Sequence, residues 1–192
     1  MERPGTLTFL LLVVVVTIFA PSCAYLYRVS APAGHEKAFI EDTAKQAQAH
    51  LAAGEYRKAL ELYAERYDKY RYPAMSAPFA GTGEQIRSAA DAAFQKKDFA
   101  NAWNIYHTLQ ESGITARDFS PPLSFDDDYL VRQMKASSKG LLEAGLTKYR
   151  EGKLEDAIAI WKKALEFDPE NKDLKSAVDT ATTQLQKLKQ IK

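Results

Sequence analysis

The sequence predicts an all-α protein, and three observations carry that reading. Past residue 30, apolar residues recur at i, i+3 and i+4, β-branched residues are sparse, and no convincing alternating run occurs. Residues 138–171 read as a helix, a tight break at Gly152, and a second helix, LEDAIAIWKKALEFDPEN. The same helix–break–helix pattern occurs twice upstream, with breaks at Gly54 and Lys97. A chain of 192 residues, 46% of them apolar, is enough for one packed domain plus an anchor.

The first 30 residues are a different material. Arg3 precedes an apolar run from Leu7 to Ala20, and Pro21-Ser22-Cys23 follows it. Charge, apolar stretch and small residues in that order make a secretory signal segment. Ala20-Pro21-Ser22-Cys23 resembles the lipobox of bacterial lipoproteins at Ser22 and Cys23 and departs from it at Ala20 and Pro21. That resemblance implies acylation of Cys23, and Ala24 in place of Asp implies sorting to an outer membrane with the domain facing the periplasm. Two other fates stand beside it. Leu7 to Tyr27, about 21 residues, is long enough to span a bilayer uncut, with Tyr25 and Tyr27 at its interface. Ser22-Cys23-Ala24 also offers an ordinary small-x-small cleavage site that would release the chain. Residues 1–27 are therefore expected to be a signal peptide or membrane anchor, and 28–35 (beginning RVSAPAG) a flexible tether. With a single cysteine, no intrachain disulfide can form.

From residue 36 the expected helices follow in order. The first runs from Glu36 to Ala53 and its partner from Tyr56 to Tyr70. Tyr72 to Gly83 holds two prolines and two glycines and reads as a loop. Thr82 and Gln85 then form a capping box for a helix ending near Lys96. Its partner spans Phe99 to Ser112, closed by Gly113. Ile114 to Ser124 contains Pro121-Pro122 and reads as a second loop. A long helix then starts near Asp126, where Asp126-Asp127-Asp128 favours a helix N-terminus through the dipole. Lys172 to Gln190 is the last helix; Leu174, Val178, Ala181, Leu185 and Leu188 form a narrow seam under a polar outer face. Such a seam suits a terminal cap over the preceding pair, the rival being a short coiled-coil dimer.

Aligning the three breaks lays Gly54-Glu55-Tyr56-Arg57-Lys58-Ala59 and Lys97-Asp98-Phe99-Ala100-Asn101-Ala102 over Gly152-Lys153-Leu154-Glu155-Asp156-Ala157. The large residue four positions on is Tyr63, Tyr106 and Trp161, and the small residue of each first helix is Ala47, Ala90 and Gly145. Ala164 and Pro169 complete the third copy, where small residues allow close helix approach and Pro stops the second helix. With these residues in place, the chain closely resembles a tetratricopeptide repeat protein. The resemblance covers about 36–171 and is most specific at 138–171. It departs from strict tandem repeats in its break-to-break separations of 43 and 55 residues, against about 34. Arg66 and Leu109 stand where the third copy has Ala164, and only that copy ends in Asp-Pro.

The resemblance implies a right-handed helical-repeat solenoid over 36–192, with pairs at about 36–72, 82–113 and 126–169 and a capping helix at 172–190. It also implies a concave groove lined by the first helices, which meets a peptide segment of a protein partner. The groove residues by position are Gln48 and Leu51, then Arg87, Asp91, Phe94 and Gln95, then Lys139, Leu142, Leu146 and Arg150. The mixture suits a partner with both apolar and charged groups. The alternative is that several of these residues pack against the inserted loops.

No catalytic pattern emerges, so neither enzymatic activity nor a cofactor is expected. His35, His50 and His107 lack metal-ligand spacing, and the Asp126–Asp128 run lacks the alternating oxygens and Gly of a calcium loop. Gly81-Thr82-Gly83 has neither the strand nor the Gly-Lys-Ser/Thr of a phosphate loop, and no nucleophile elbow occurs. A net charge of +1 with interspersed signs disfavours nucleic acid. The expectation is a non-enzymatic adaptor tethered in a bacterial envelope; the alternative is an accessory subunit that does not use the groove.

Overall fold

A computed structural model describes residues 33–191, and among them regular structure is wholly helical. The signal or anchor segment, Cys23 and the start of the tether lie outside the described residues. The helices are α1 (Ala33–Ala52), α2 (Tyr56–Tyr70), α3 (Ser76–Gln95), α4 (Phe99–Glu111), α5 (Asp127–Arg150), α6 (Leu154–Phe167) and α7 (Lys172–Ile191). Short 3-10 turns at Pro73–Met75 and Ile114–Ala116 precede α3 and follow α4. No helix of the described residues is long and apolar enough to cross a membrane. Helices pair as α1/α2, α3/α4 and α5/α6, and α7 packs on α6. Contacts also skip an element: α1 touches α3, α2 touches α4, and α4 touches α6.

The three breaks are built alike. Gly54 and Gly152 both have φ of +73°, and Lys97, where the middle copy lacks its glycine, has φ of +63°. Gly54 N donates to Leu51 O (3.0 Å) and Glu55 N to His50 O (2.8 Å). Lys97 and Asp98 repeat that pair of bonds to Phe94 O and Ala93 O at 2.9 and 3.0 Å. Gly152 and Lys153 repeat it again to Tyr149 O and Lys148 O, both at 3.0 Å. Two bonds running back over a left-handed residue satisfy carbonyls that a helix end leaves orphaned. A lysine pays a steric penalty in that conformation that glycine does not. Lys97→Gly is therefore expected to stabilise the fold by about 1 kcal/mol, read as a raised urea midpoint at unchanged slope.

Each second helix then buries the same residues. Ala59, Ala102 and Ala157 are fully buried, as are Tyr63, Tyr106 and Trp161 one turn on, and Ala47 and Ala90 in the facing first helices. Arg66, in the place of Ala164, is half-buried against α1: it donates to Thr43 Oγ1 (2.7 Å) and lies 5.1 Å from the Phe39 ring centre. Closest approach occurs in the third pair. A Cβ added to Gly145 would fall 2.5 Å from Trp161 Cε2, so glycine is the residue that admits the indole. The core divides into two clusters, one from α1 to the first half of α5, the other from the rest of α5 through α7. They meet where the Phe99 ring covers Gly140, whose Cβ would come within 2.6 Å of it.

Three expectations are corrected. Ala33 to His35, expected in the tether, belong to α1, which starts before Glu36; residues 28–32 lie outside the described residues. Helix α3 starts at Ser76, inside the stretch read as a loop, and the Thr82 capping box does not form. Pro78 falls in the first turn of α3, where amides have no intrahelical acceptor to lose. The buried Thr82 hydroxyl instead donates to Pro78 O at 3.1 Å. Gly83, costly in a helix interior by propensity alone, is needed because a Cβ there would strike Ile114 Cδ1 at 2.5 Å. The chain after α4 is also less open than a loop: Ile114 opens a 3-10 turn, and Ile114, Phe119 and Phe125 are buried. Further along, Asp126 caps α5 by accepting from Tyr129 N at 2.7 Å, and Asn171 caps α7 through Leu174 N at 3.1 Å. In α7, Leu174 and Ala181 are buried, whereas Leu188 is 49% and Ile191 82% exposed, so the seam is covered only in its first half.

Candidate partner-binding face

The residues expected in the groove lie on α1, α3 and α5, and their surroundings differ from helix to helix. On α1, Gln48 is exposed and Leu51 is half-buried against the first core cluster. On α3, Gln95 is exposed, and Phe94 meets Phe99 edge-on at 5.3 Å. Arg87 and Asp91 belong to a polar network within the chain. Asp91 Oδ1 accepts from the hydroxyls of Tyr106 (2.6 Å) and Tyr129 (2.7 Å), while Oδ2 is ion-paired with the Arg87 guanidinium. Arg87 Nε donates to Glu84 Oε2 at 3.1 Å. Glu84 in turn accepts from Ser124 N (2.6 Å) and Ser124 Oγ (2.7 Å) of the segment that precedes α5.

That network shifts its members' acidities. Burial, then the Asp91 carboxylate, raises the Tyr106 phenol far above its ordinary value; the same two causes raise Tyr129. Burial alone would raise Glu84, but the Ser124 donors and Arg87 outweigh it and hold its carboxyl below the usual range. The segment 114–126 is pinned at four further points. Ser120 N donates to Ser76 Oγ (2.9 Å), Thr115 Oγ1 to Asp127 Oδ1 (2.6 Å), and Arg117 Nη2 to Asp68 Oδ2 (3.1 Å). The Arg117 guanidinium also lies 5.5 Å from the Phe79 ring centre. This strap fills the space between the first halves of α3 and α5. Through Ser124 it bonds Glu84, which also holds Arg87, whereas Asp91 is engaged by Arg87, Tyr106 and Tyr129 of the helices themselves.

On α5 the face is open. Lys139 and Arg150 are exposed, and Leu142 and Leu146 are half-buried beside Tyr149 and Trp161. Together with Ala177 and Thr180 of α7 they line a cleft of about 290 Å³. Trp161 Nε1 donates to Leu142 O (3.0 Å), and Tyr149 Oη to Gln184 Oε1 (2.6 Å), which fixes α5, α6 and α7 around the cleft. Its floor is apolar and its rim polar, with Asp173, Ser176 and Thr180 among its lining. Lys139 and Arg150 stand outside that lining, exposed on α5, and Lys139 lies 4.0 Å from Glu143. The part played by α7 was not anticipated from sequence: besides covering α6, it supplies the second wall of this cleft.

No arrangement of general acid, base and nucleophile accompanies the cleft. Elsewhere two shifted carboxylates sit in ion pairs at the helix breaks, and two more, Asp68 and Glu111, are held below the usual range by Arg117 and Arg57. Lys58, then His50, holds Glu55 below the usual range, and Lys153, then Lys148, does the same to Glu151. Among the described residues no group of three His, Cys, Asp or Glu is placed to hold a metal ion. A scan against protein-family models and a search of curated proteins return no match for this chain.

Proposed function

We propose that the chain is a tetratricopeptide-like right-handed solenoid, held at a bacterial membrane by its N-terminal segment, that acts as a non-enzymatic adaptor for a protein partner in the envelope. The observation that carries the reading is the threefold recurrence of one break, with identical backbone bonding at Gly54, Lys97 and Gly152, ahead of a buried Ala and a buried aromatic residue. Such units stack by burying each other's apolar faces, and they commonly use the first-helix face for binding. The Leu142–Leu146 cleft is the stretch of that face best suited to an apolar anchor of the partner, and the exposed Lys139 and Arg150 farther along α5 would meet acidic flanks. Of the three fates of the N-terminal segment, acylation at Cys23 and attachment to the outer membrane, facing the periplasm, fits the adaptor role best. An uncut inner-membrane anchor would serve the same role.

The test is a crosslinking capture from intact envelope with wild type, Leu146→Arg and Arg150→Glu. Loss of one anchor residue is expected to weaken capture of the same partner at least about ten-fold. Arg150 is exposed, so its reversal leaves the fold intact and separates lost binding from lost folding. One observation favours a second reading, in which the chain is a structural accessory subunit of an envelope assembly: Arg87 and Asp91 are engaged within the chain, by Glu84, Tyr106 and Tyr129. Capture undiminished by either substitution would select that reading.

A further inference from the structure

The edge of the domain formed by the start of α1 and the end of α2 carries an aromatic and basic surface that the adaptor reading does not use. Its sequence source is Arg66-Tyr67-Asp68-Lys69-Tyr70-Arg71-Tyr72, where cationic and tyrosine side chains interleave. In the fold this run ends α2, with Arg71 in a left-handed conformation (φ 50°) that turns the chain toward the Pro73–Met75 turn. The Tyr70 ring stacks on Tyr72 at 5.6 Å and meets Phe39 of α1 edge-on at 4.8 Å. Tyr70 is 41% exposed, one of three large hydrophobic residues so placed among the described residues. Lys69 Nζ lies 5.2 Å from the Tyr70 ring centre, Arg71 is exposed, and Lys37 projects from the second turn of α1 beside Ile40 and Ala74.

The chain outside the described residues enters α1 at Ala33, on this same edge. Cys23 is ten residues upstream and the apolar run ends at Ala20. Ten residues reach at most about 35 Å, so an anchor at Cys23 keeps this edge within that distance of the bilayer. Tyrosine with lysine or arginine is the residue pairing of a membrane–water interface: the ring enters the glycerol layer and the cation stays with phosphate. Acidic neighbours temper the attraction. Glu36 and Glu41 flank Lys37, which pairs with Glu41 at 3.8 Å, and Asp68 is held by Arg117. The surface is thus near neutral, and its affinity is aromatic-led.

We propose that the edge formed by Phe39, Tyr70, Tyr72, Lys69, Arg71 and Lys37 rests on the phospholipid headgroup layer of the bilayer that holds the N-terminal segment. This inference rests on the anchoring reading above. It would place the start of α1 and the end of α2 against lipid.

The test uses the full chain reconstituted in vesicles of phosphatidylethanolamine and phosphatidylglycerol, with amide hydrogen exchange read against the same chain in dilute non-ionic detergent. Exchange across 68–75 is expected to slow at least about three-fold on vesicles, with 160–170 unchanged as an internal control. A Tyr70→Ser/Arg71→Glu double variant, read as its own vesicle-to-detergent ratio so that any loosening of the Phe39–Tyr70–Tyr72 packing cancels, is expected to lose that protection while still floating with the vesicles. If wild type floats but 68–75 exchanges as fast as in detergent, the headgroup contact is wrong and the anchor stands. If the chain stays off the vesicles, the anchor reading fails and this proposal with it.

Discussion

Trp161→Ala is expected to cost about 3–5 kcal/mol and to lower the melting temperature by roughly 6–20 °C. The indole is fully buried and fills the gap that Gly145 leaves open. Gly145, which faces the indole, has no side chain that could move into that space. The substitution also leaves Leu142 O without the Nε1 donor it now has at 3.0 Å. Trp161→Phe is expected to cost less, since most of the ring volume stays and only the hydrogen bond goes. Trp161 belongs to the second core cluster, which joins the first near Phe99 and Gly140, so the loss should be uneven. Amides of α6 and α7 should exchange faster by a larger factor than those of α1 and α2, as expected where each hairpin is stabilised by its neighbours. A melt that matches wild type, or an equal rise in exchange along the whole chain, would show that the third hairpin is not held by this contact.

How far the fold could be read from sequence depended on how local each cause is. The breaks at Gly54 and Gly152 were legible because a left-handed residue between helices calls for glycine. Lys97 was legible only through its alignment with the other two, since nothing local in Lys97-Asp98 announces a positive φ. The start of α3 was misread because proline and glycine were counted without regard to position: Pro78 costs nothing in a first turn, and Gly83 answers to Ile114, 31 residues away. Gly140 was passed over for the same reason, its partner Phe99 lying on another helix. Of the candidate site, the open apolar pair Leu142 and Leu146 lay in the best-formed repeat and could be placed. The internal engagement of Arg87 and Asp91 could not, because it depends on Tyr106 and Tyr129 reaching Asp91 from two other helices, which no local pattern encodes.

Asp91→Ala is the second substitution expected to be severe, at about 2–3 kcal/mol, discounted from a fully buried pair because the carboxylate is partly exposed. One carboxylate here serves three donors on three helices: Arg87 of α3, Tyr106 of α4 and Tyr129 of α5. Removing it strands two phenol hydroxyls that are mostly shielded from water and leaves Arg87 with Glu84 alone. The network also sets an alkaline limit on stability. The folded Tyr106 and Tyr129 phenols are raised above the 10.0 of a free tyrosine, first by burial and then by Asp91. Below pH 10 both states are protonated and the contribution is fully present. Above it the unfolded chain ionises while the folded one resists, so stability falls by up to about 1.4 kcal/mol per pH unit for each such group. Asp91→Asn keeps an acceptor and removes the repelling charge, so the folded phenols should ionise more readily. Urea unfolding at pH 7, 10 and 11 should therefore give a steep alkaline loss for wild type and a shallower one for Asp91→Asn. Parallel losses in the two proteins would mean that the phenols titrate independently of Asp91 and that the three helices are not joined through its carboxylate.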